Sequence, residues 1–323
     1  MLSYNCIGAF MLAVAAQTLA VTAPVFAMLF LGVALKRVRW IDGAFIDTAS
    51  SLVFRGTMPT LLFLGVIKAD LDAAMQPGLL TYYVLATVVS FFLAWGWAVW
   101  RVPFVDRGVY TQGAFRGNNG IVGLALATSM YGDYGLSLGS VLAALVILCY
   151  NALSAVVLAI YSPGAKTGMR AIARSIVSNP MIIGVLLAVP FAYWKIALPQ
   201  WLLTSAEYFA QMTLPLALIC IGGTLSLASL QRSSGTAIGS SLMKMVWLPL
   251  LSTTGAWLLG FRDADLAILF LYFASPTAAA SFVMARAVGA NHELAAAIIV
   301  ITTLAAVLTT NVGLLLLQWG GWV

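Results

Sequence analysis

The sequence predicts an all-α polytopic membrane protein of ten transmembrane helices, arranged as two inverted five-helix repeats. Three observations carry this. The 323 residues are 62% hydrophobic and 8% charged, with a mean hydropathy of +1.01, whereas soluble domains are about 45–50% apolar and about 25% charged. The charges gather in short patches between apolar tracts of about 20 residues, the length that crosses a ~30 Å hydrocarbon core. Two of these tracts are interrupted by polar residues at corresponding points of the two halves.

The tracts place spans at about 14–35, 46–67, 78–100, 109–130, 136–160, 180–196, 203–226, 236–260, 264–288 and 293–318. No separate soluble domain is left over. The odd-numbered connections hold Lys36, Arg37, Arg39, Arg101, Arg107, Lys166, Arg170, Arg174, Arg232 and Arg286, and the even-numbered ones only Lys68, Lys195 and Arg262. Basic residues mark cytoplasmic loops, so the odd connections are expected in the cytoplasm and both termini outside. The formal charge of +6 is explained by these loops and gives no reason to invoke nucleic acid. AVAAQ at residues 13–17 resembles a signal-peptidase site, but MLSYN lacks the positive segment that precedes one, and the N-terminus is read as mature sequence.

The longest connection, the basic joint at residues 162–179, divides the chain into a first repeat, 1–161, and a second, 180–323. FRGTMPTLLFLG of the second span aligns with AQMTLPLALICIG of the seventh. Thr57 falls on Thr213, Pro59 on Pro215, and Arg55 on Gln211. With nearly the same offset, GNNGIVGLALATSMYG of the fourth span falls on ASPTAAASFVMARAVG of the ninth. Five spans per half is an odd number, so the second half must enter the membrane upside down.

An unsatisfied backbone group costs several kcal/mol in lipid, so a span is broken at depth only where protein or a water-lined cavity covers the break. Gly117 and Gly120 permit open backbone, Asn118 and Asn119 offer amides, and Ser275-Pro276-Thr277 stands at the equivalent point, where proline disrupts the helix. Paired interruptions in two inverted halves point to a midplane substrate site. The half-helix N-termini would present free N–H groups and partial positive charge to an anion.

Arg55 and Arg116 fall near span centres, where an arginine costs at least ~2.5–3.5 kcal/mol. Neither has an acid one turn away, which leaves a substrate anion or backbone carbonyls as partners, or snorkelling for Arg55 and a position nearer the cytoplasmic surface for Arg116. Lys244 is expected to snorkel from the cytoplasmic end of the eighth span, and Glu207 to take a wetted position toward the outer face. Residues 109–130 and 271–286 contain no acid, whereas a cation antiporter needs carboxylates at its breaks. Anion handling fits better.

Other chemistries find little support. Cys6, Cys149 and Cys220 show neither disulfide nor zinc spacing, so no metal or cofactor is expected beyond coupling to Na+ or H+. GLSLG at residues 135–139 matches G-x-S-x-G, but it opens a membrane span, on the opposite side from His292, the one histidine. A helix-packing seam through Gly135 and Gly139 is the better reading. The chain is not expected to be an enzyme.

TAPVFAMLFLGVALKRVRWI, VFRGTMPTLLFLG, FRGNNGIVGLAL, SNPMIIGVLLAVP, LPLALICIGGTL and ASPTAAASFVMARAVGANHELAA occur in this order over about residues 22–300. Together they resemble the auxin efflux carrier family, in particular its short bacterial members, several of which carry names as malonate or other carboxylate transporters. The resemblance implies the fold of the bile acid sodium symporters, with crossed broken helices 4 and 9 and an elevator motion. Spans 1, 2, 6 and 7 would form the scaffold, and spans 3–5 and 8–10 the mobile core. Asn118 matches the family's crossover asparagine and Pro276 its second crossover proline. Ala125 stands where the family usually has a proline in the fourth span, so here the flanking glycines are expected to supply the break.

The expectation is a secondary transporter of a small organic anion, a mono- or dicarboxylate such as malonate, in a bacterial inner membrane. Its carboxylate would lie between Asn118, Asn119 and the backbone at Ser275, Pro276 and Thr277, with Arg116 as the nearby cation. Arg55 and Gln211 would close the site from the scaffold. A Na+-coupled symporter of bulkier amphipathic anions and a non-transporting receptor or scaffold are the alternatives. Beyond the anion and membrane lipid, a homodimer is the assembly left open.

Overall fold

The computed structural model describes residues 23–24, 26–67, 76–161, 180–224 and 235–323. The start of the first span, Cys6, Lys68, the joint at 162–179 with Lys166, Arg170 and Arg174, and Arg232 lie outside the described residues.

Every described element is helical apart from one isolated antiparallel bridge. Helix α1 covers 26–37. Helix α2 begins at Gly43, where the Asp42 carboxylate accepts from Phe45 N at 2.7 Å, and runs to Ile67 through a π-turn at Val53–Thr57. Pro59 explains the turn, because its ring would strike the Arg55 carbonyl and the widened turn absorbs that clash. Helix α3, Pro77–Arg101, starts on proline, whose missing N–H costs nothing at a first helical position, and stops before Pro103.

The next span is in two pieces, α4 (Arg107–Phe115) and α5 (119–131). Gly132, at φ 55° and ψ −132°, a conformation that favours glycine, separates α5 from α6 (133–161). Helices α7 (Pro180–Tyr193), α8 (Gln200–Gln211) and α9 (Thr213–Thr224) follow. Helix α10 (235–258) carries a second π-turn, Met243–Trp247, again two residues before a proline, Pro249. The last spans are α11 (Asp263–Phe273), the separate α12 (Ala280–Ala287), and α13 (His292–Trp319), capped by Asn291. The described helices lie within a few residues of the corresponding apolar tracts, the seventh tract being divided at Met212, and five of the helical stretches are individually long and apolar enough to cross a membrane.

The faces of α3 show which solvent it is built for. Tyr83, Thr87, Ser90, Ala94 and Ala98 point inward, while Leu85, Val89, Phe92, Leu93 and Trp97 are exposed. Large apolar groups outside and small or polar groups inside suit lipid, where close helix approach replaces the hydrophobic drive. Trp40, Trp100, Trp194, Trp201 and Trp319 are exposed at or near helix ends, as interfacial aromatics are.

Three helix contacts depend on missing Cβ atoms. Gly222 of α9 lies against the Leu29 carbonyl of α1, and Gly32 of α1 against the Ile219 carbonyl of α9. Gly184 of α7 meets the carbonyl of Pro59 on α2, from which a Cβ would stand 2.7 Å away. Gly135 and Gly139 likewise place α6 against Ala127 and Leu124 of α5. Gly222→Leu is therefore expected to force α1 from α9, lowering the thermal midpoint of the purified protein by the equivalent of about 1–3 kcal/mol or more. Gly78→Ala, with open space around it, should leave the midpoint unmoved.

The main core gathers Tyr83, Phe91, Phe115, Leu126, Leu142 and Tyr272 from α3 to α6 and α11. Met58 and Leu62 of α2 and Ala217 of α9 form a separate cluster with Leu124 of α5, just past the break in the fourth span.

Candidate functional site

Helix α4 ends at Phe115, and Arg116 turns extended at φ −83° and ψ 106°. Gly117 then pairs antiparallel with Thr277. Asn118 N donates to the Pro276 carbonyl at 2.7 Å, and Ala278 N donates to the Arg116 carbonyl at 3.2 Å. The two interrupted spans thus satisfy part of each other's broken backbone, which is the condition for an irregular segment at depth. Thr277 Oγ1 donates to the Gly113 carbonyl at 2.7 Å, and Thr277 N donates to Thr302 Oγ1 of α13 at 3.1 Å. Ser275 Oγ donates to the Leu271 carbonyl at 2.9 Å. Ala125 is buried inside regular α5, so the fourth-span break is made upstream of it by the paired strand at 116–118.

Both half-helices that leave the break begin with unused donors. Among the described residues, the amides of Asn119 and Gly120 at the start of α5, and of Ala279 and Ala280 at the start of α12, have no backbone acceptor. Gly120 has open space around it and Ala280 is exposed. These are two N-termini with partial positive charge, opening from one paired segment.

The two asparagines differ. Asn119 is 2% exposed and donates inward through Nδ2 to the hydroxyls of Tyr83 and Tyr150, the latter at 3.2 Å. The side chain of Asn118 makes no hydrogen bond among the described residues. Asn118, itself 8% exposed, is therefore the amide without a side-chain partner among the described residues, and Asn119 the one that fixes the loop to α3 and α6.

Arg116 is 7% exposed. Its Nη2 donates to Asn151 Oδ1 at 3.0 Å, and its Nη1 to Ser154 Oγ at 3.4 Å and to the Met284 sulfur at 2.9 Å. Its partners among the described residues are neutral side chains of α6 and α12 and not the backbone carbonyls weighed from sequence, and Nε has none. Asn151→Leu is expected to lower the thermal midpoint by the equivalent of about 1.5–3 kcal/mol, since it removes an acceptor from a buried cation.

Lys244 corrects a second expectation. It does not snorkel: it is 3% exposed, and Nζ donates to the Phe273 carbonyl at 3.0 Å, beside Gly117. It lies in the π-turn Met243–Trp247, and Pro249 beyond it was the local signal. Tyr83, Tyr150, Asn151, Met284 and Thr302 were also missed, because their roles arise from long-range packing.

Arg55 lies in the α2 π-turn and Gln211 ends α8, both with exposed side chains. Their elements touch, a Cβ on Gly56 standing 3.0 Å from Phe209, but neither residue is hydrogen-bonded to the paired break. Glu207 is half-buried on α8. A cavity of about 400 Å³ between α2, α7 and α8, lined by Phe63, Leu187, Phe191 and Leu202, is wholly apolar and lies away from the break. Among the described residues no cluster of His, Cys, Asp and Glu could hold a metal.

Comparison with known proteins places the chain in a family. The family described as membrane transport protein matches residues 19–314. The chain belongs to this family, the auxin efflux carriers. It is 28% identical over 311 residues, 92% of this chain and 95% of the relative, to a protein of Rhizobium meliloti (strain 1021) named "Putative malonate transporter". It is 25% identical over 285 residues, 87% of this chain and 92% of the relative, to a protein of Methanothermobacter thermautotrophicus named "Uncharacterized transporter". As an auxin efflux carrier family protein the chain is an integral membrane transport protein, and the expectation that it is not an enzyme is consistent with this.

Proposed function

We propose that this family member is a secondary transporter of a small organic anion, a mono- or dicarboxylate with malonate as the first candidate. The observation that carries the proposal is the paired break at Gly117 and Thr277, from which two half-helix N-termini open with free amides beside the unengaged Asn118 side chain. A carboxylate is the ligand such donors suit. Residues 109–130 and 271–286 contribute no acid to repel it. The name of the Rhizobium relative points to the same substrate class.

The architecture we propose is ten spans in two inverted repeats, 1–161 and 180–323, with both termini outside a bacterial inner membrane. Several paired features support the repeat. The fourth and ninth spans break at positions the sequence aligns. Glycine-dependent crossings join α1 to α9 and α7 to α2, which are equivalent pairs under the repeat. Thr57 and Thr213, aligned by it, are both fully buried with hydroxyls that have no partner among the described residues. In this scheme α1, α2 and α7 to α9 form a scaffold past which the remaining helices carry the site, and Arg55 and Gln211 face the path from the scaffold side.

The test is flux of a carboxylate panel into proteoliposomes, with and without Na+ and pH gradients. Saturable malonate uptake, competed by other short dicarboxylates, is the expected result. Binding without flux would overturn the transporter reading, and preference for bulky amphipathic anions would overturn the substrate class.

A further inference from the structure

The site described above uses the ammonium of Lys244 for nothing, yet its placement is specific. The lysine sits in the π-turn Met243–Trp247, which turns its side chain into the core. Nζ donates to the carbonyl of Phe273, the last residue of α11, at 3.0 Å. That carbonyl is at the negative end of a helix interrupted at depth, the kind of group that coordinates cations in broken-helix transporters. A second oxygen converges on the same place. Asn119 Oδ1 is buried without a partner among the described residues, and it lies against the same side of Gly117 as Nζ, where a Cβ would strike Oδ1 and stand 3.1 Å from Nζ. No described acid forms an ion pair with Lys244. An ammonium is a compact point charge with three donors, and here its one described acceptor is the neutral Phe273 carbonyl, with Asn119 Oδ1 close by but not hydrogen-bonded to it.

We propose that Lys244 is a tethered cation: its ammonium occupies a monovalent-cation site formed by the Phe273 carbonyl and Asn119 Oδ1, so the protein holds its paired break without free Na+, and removing the lysine uncovers a latent Na+ site. A free ion would supply the same charge to the same oxygens, with water completing its shell. The proposal rests on the transporter reading only for its flux measurement.

The experiment compares thermal midpoints of the purified full-length protein in NaCl and in choline chloride, whose cation is too large for the site. The unmodified protein should show equal midpoints in the two salts, and equal malonate flux in proteoliposomes. Lys244→Ala, which vacates the space, should be less stable in choline and gain several degrees in Na+, as a ligand bound only to the folded state requires. Lys244→Met, which fills the space without charge, should respond to neither salt. Na+ dependence of the unmodified protein would overturn the proposal. So would a Lys244→Ala protein that is folded but indifferent to Na+, or one that Na+ fails to rescue. The midpoint measurement needs no substrate, so a failure of the carboxylate reading, seen as absent malonate flux, is separable from a failure of this one.

Discussion

Asn118→Ala should reduce malonate uptake into proteoliposomes by about 10- to 150-fold while leaving the thermal midpoint close to that of the unmodified protein. The size follows from the chemistry: a hydrogen bond to a charged group contributes about 1.5–3 kcal/mol, and each 1.4 kcal/mol is a factor of ten. The unchanged stability follows from the geometry. The Asn118 side chain makes no hydrogen bond among the described residues, whereas its backbone N–H, which alanine keeps, makes the 2.7 Å bond to the Pro276 carbonyl. Asn119→Ala should differ in its stability. It loses the contacts to Tyr83 and Tyr150 and should lower the midpoint as well as the flux. If Asn118→Ala transports malonate at the unmodified rate, Asn118 is not a substrate contact.

How far the site was legible in the sequence depends on the range of the interaction. The break in the fourth span could be read from Gly117-Asn118-Asn119-Gly120, because glycine and asparagine in an apolar tract are anomalous by themselves. Its counterpart at Ser275-Pro276-Thr277 was legible from the alignment of the halves. What neither segment reveals is that the two pair with each other, nor which asparagine turns inward, since Tyr83 and Tyr150 lie on other helices. Arg116 was legible as a buried cation but not its partners, which are 35 to 168 residues away. Lys244 was misplaced for a different reason. A regular helix with a lysine near its cytoplasmic end lets that side chain reach the interface, but the π-turn adds a residue to one turn and rotates the face that follows. Pro249 was the available sign of that turn, as Pro59 was in α2. The third span was readable as an apolar tract but not which of its faces is exposed, and the glycine crossings at Gly32, Gly184 and Gly222 had no period to announce them.

Gly117→Ala is the substitution expected to damage the protein most for its size. Gly117 is held at an ordinary negative φ, so alanine is excluded by space and not by backbone conformation. The new methyl would strike Asn119 Oδ1 and lie 3.2 Å from Asn119 Cγ and 3.1 Å from Lys244 Nζ. Lys244 is tied to the Phe273 carbonyl, and the Asn119 amide is anchored on its other side by Tyr83 and Tyr150. Neither can withdraw without leaving a buried polar group unpaired, at a cost of about 1–3 kcal/mol each. The expected result is a midpoint lowered by the equivalent of about 2–6 kcal/mol, the strain of overpacking added to one such loss, together with loss of malonate flux. Gly120→Ala separates space from flexibility. That glycine has open surroundings and an ordinary φ, so alanine there should hold or slightly raise the midpoint by restricting the unfolded chain, whatever it does to flux. A Gly117→Ala protein with an unchanged midpoint would mean that the segment gives way at this point, and that the paired break is not the rigid centre on which the two half-helices are mounted.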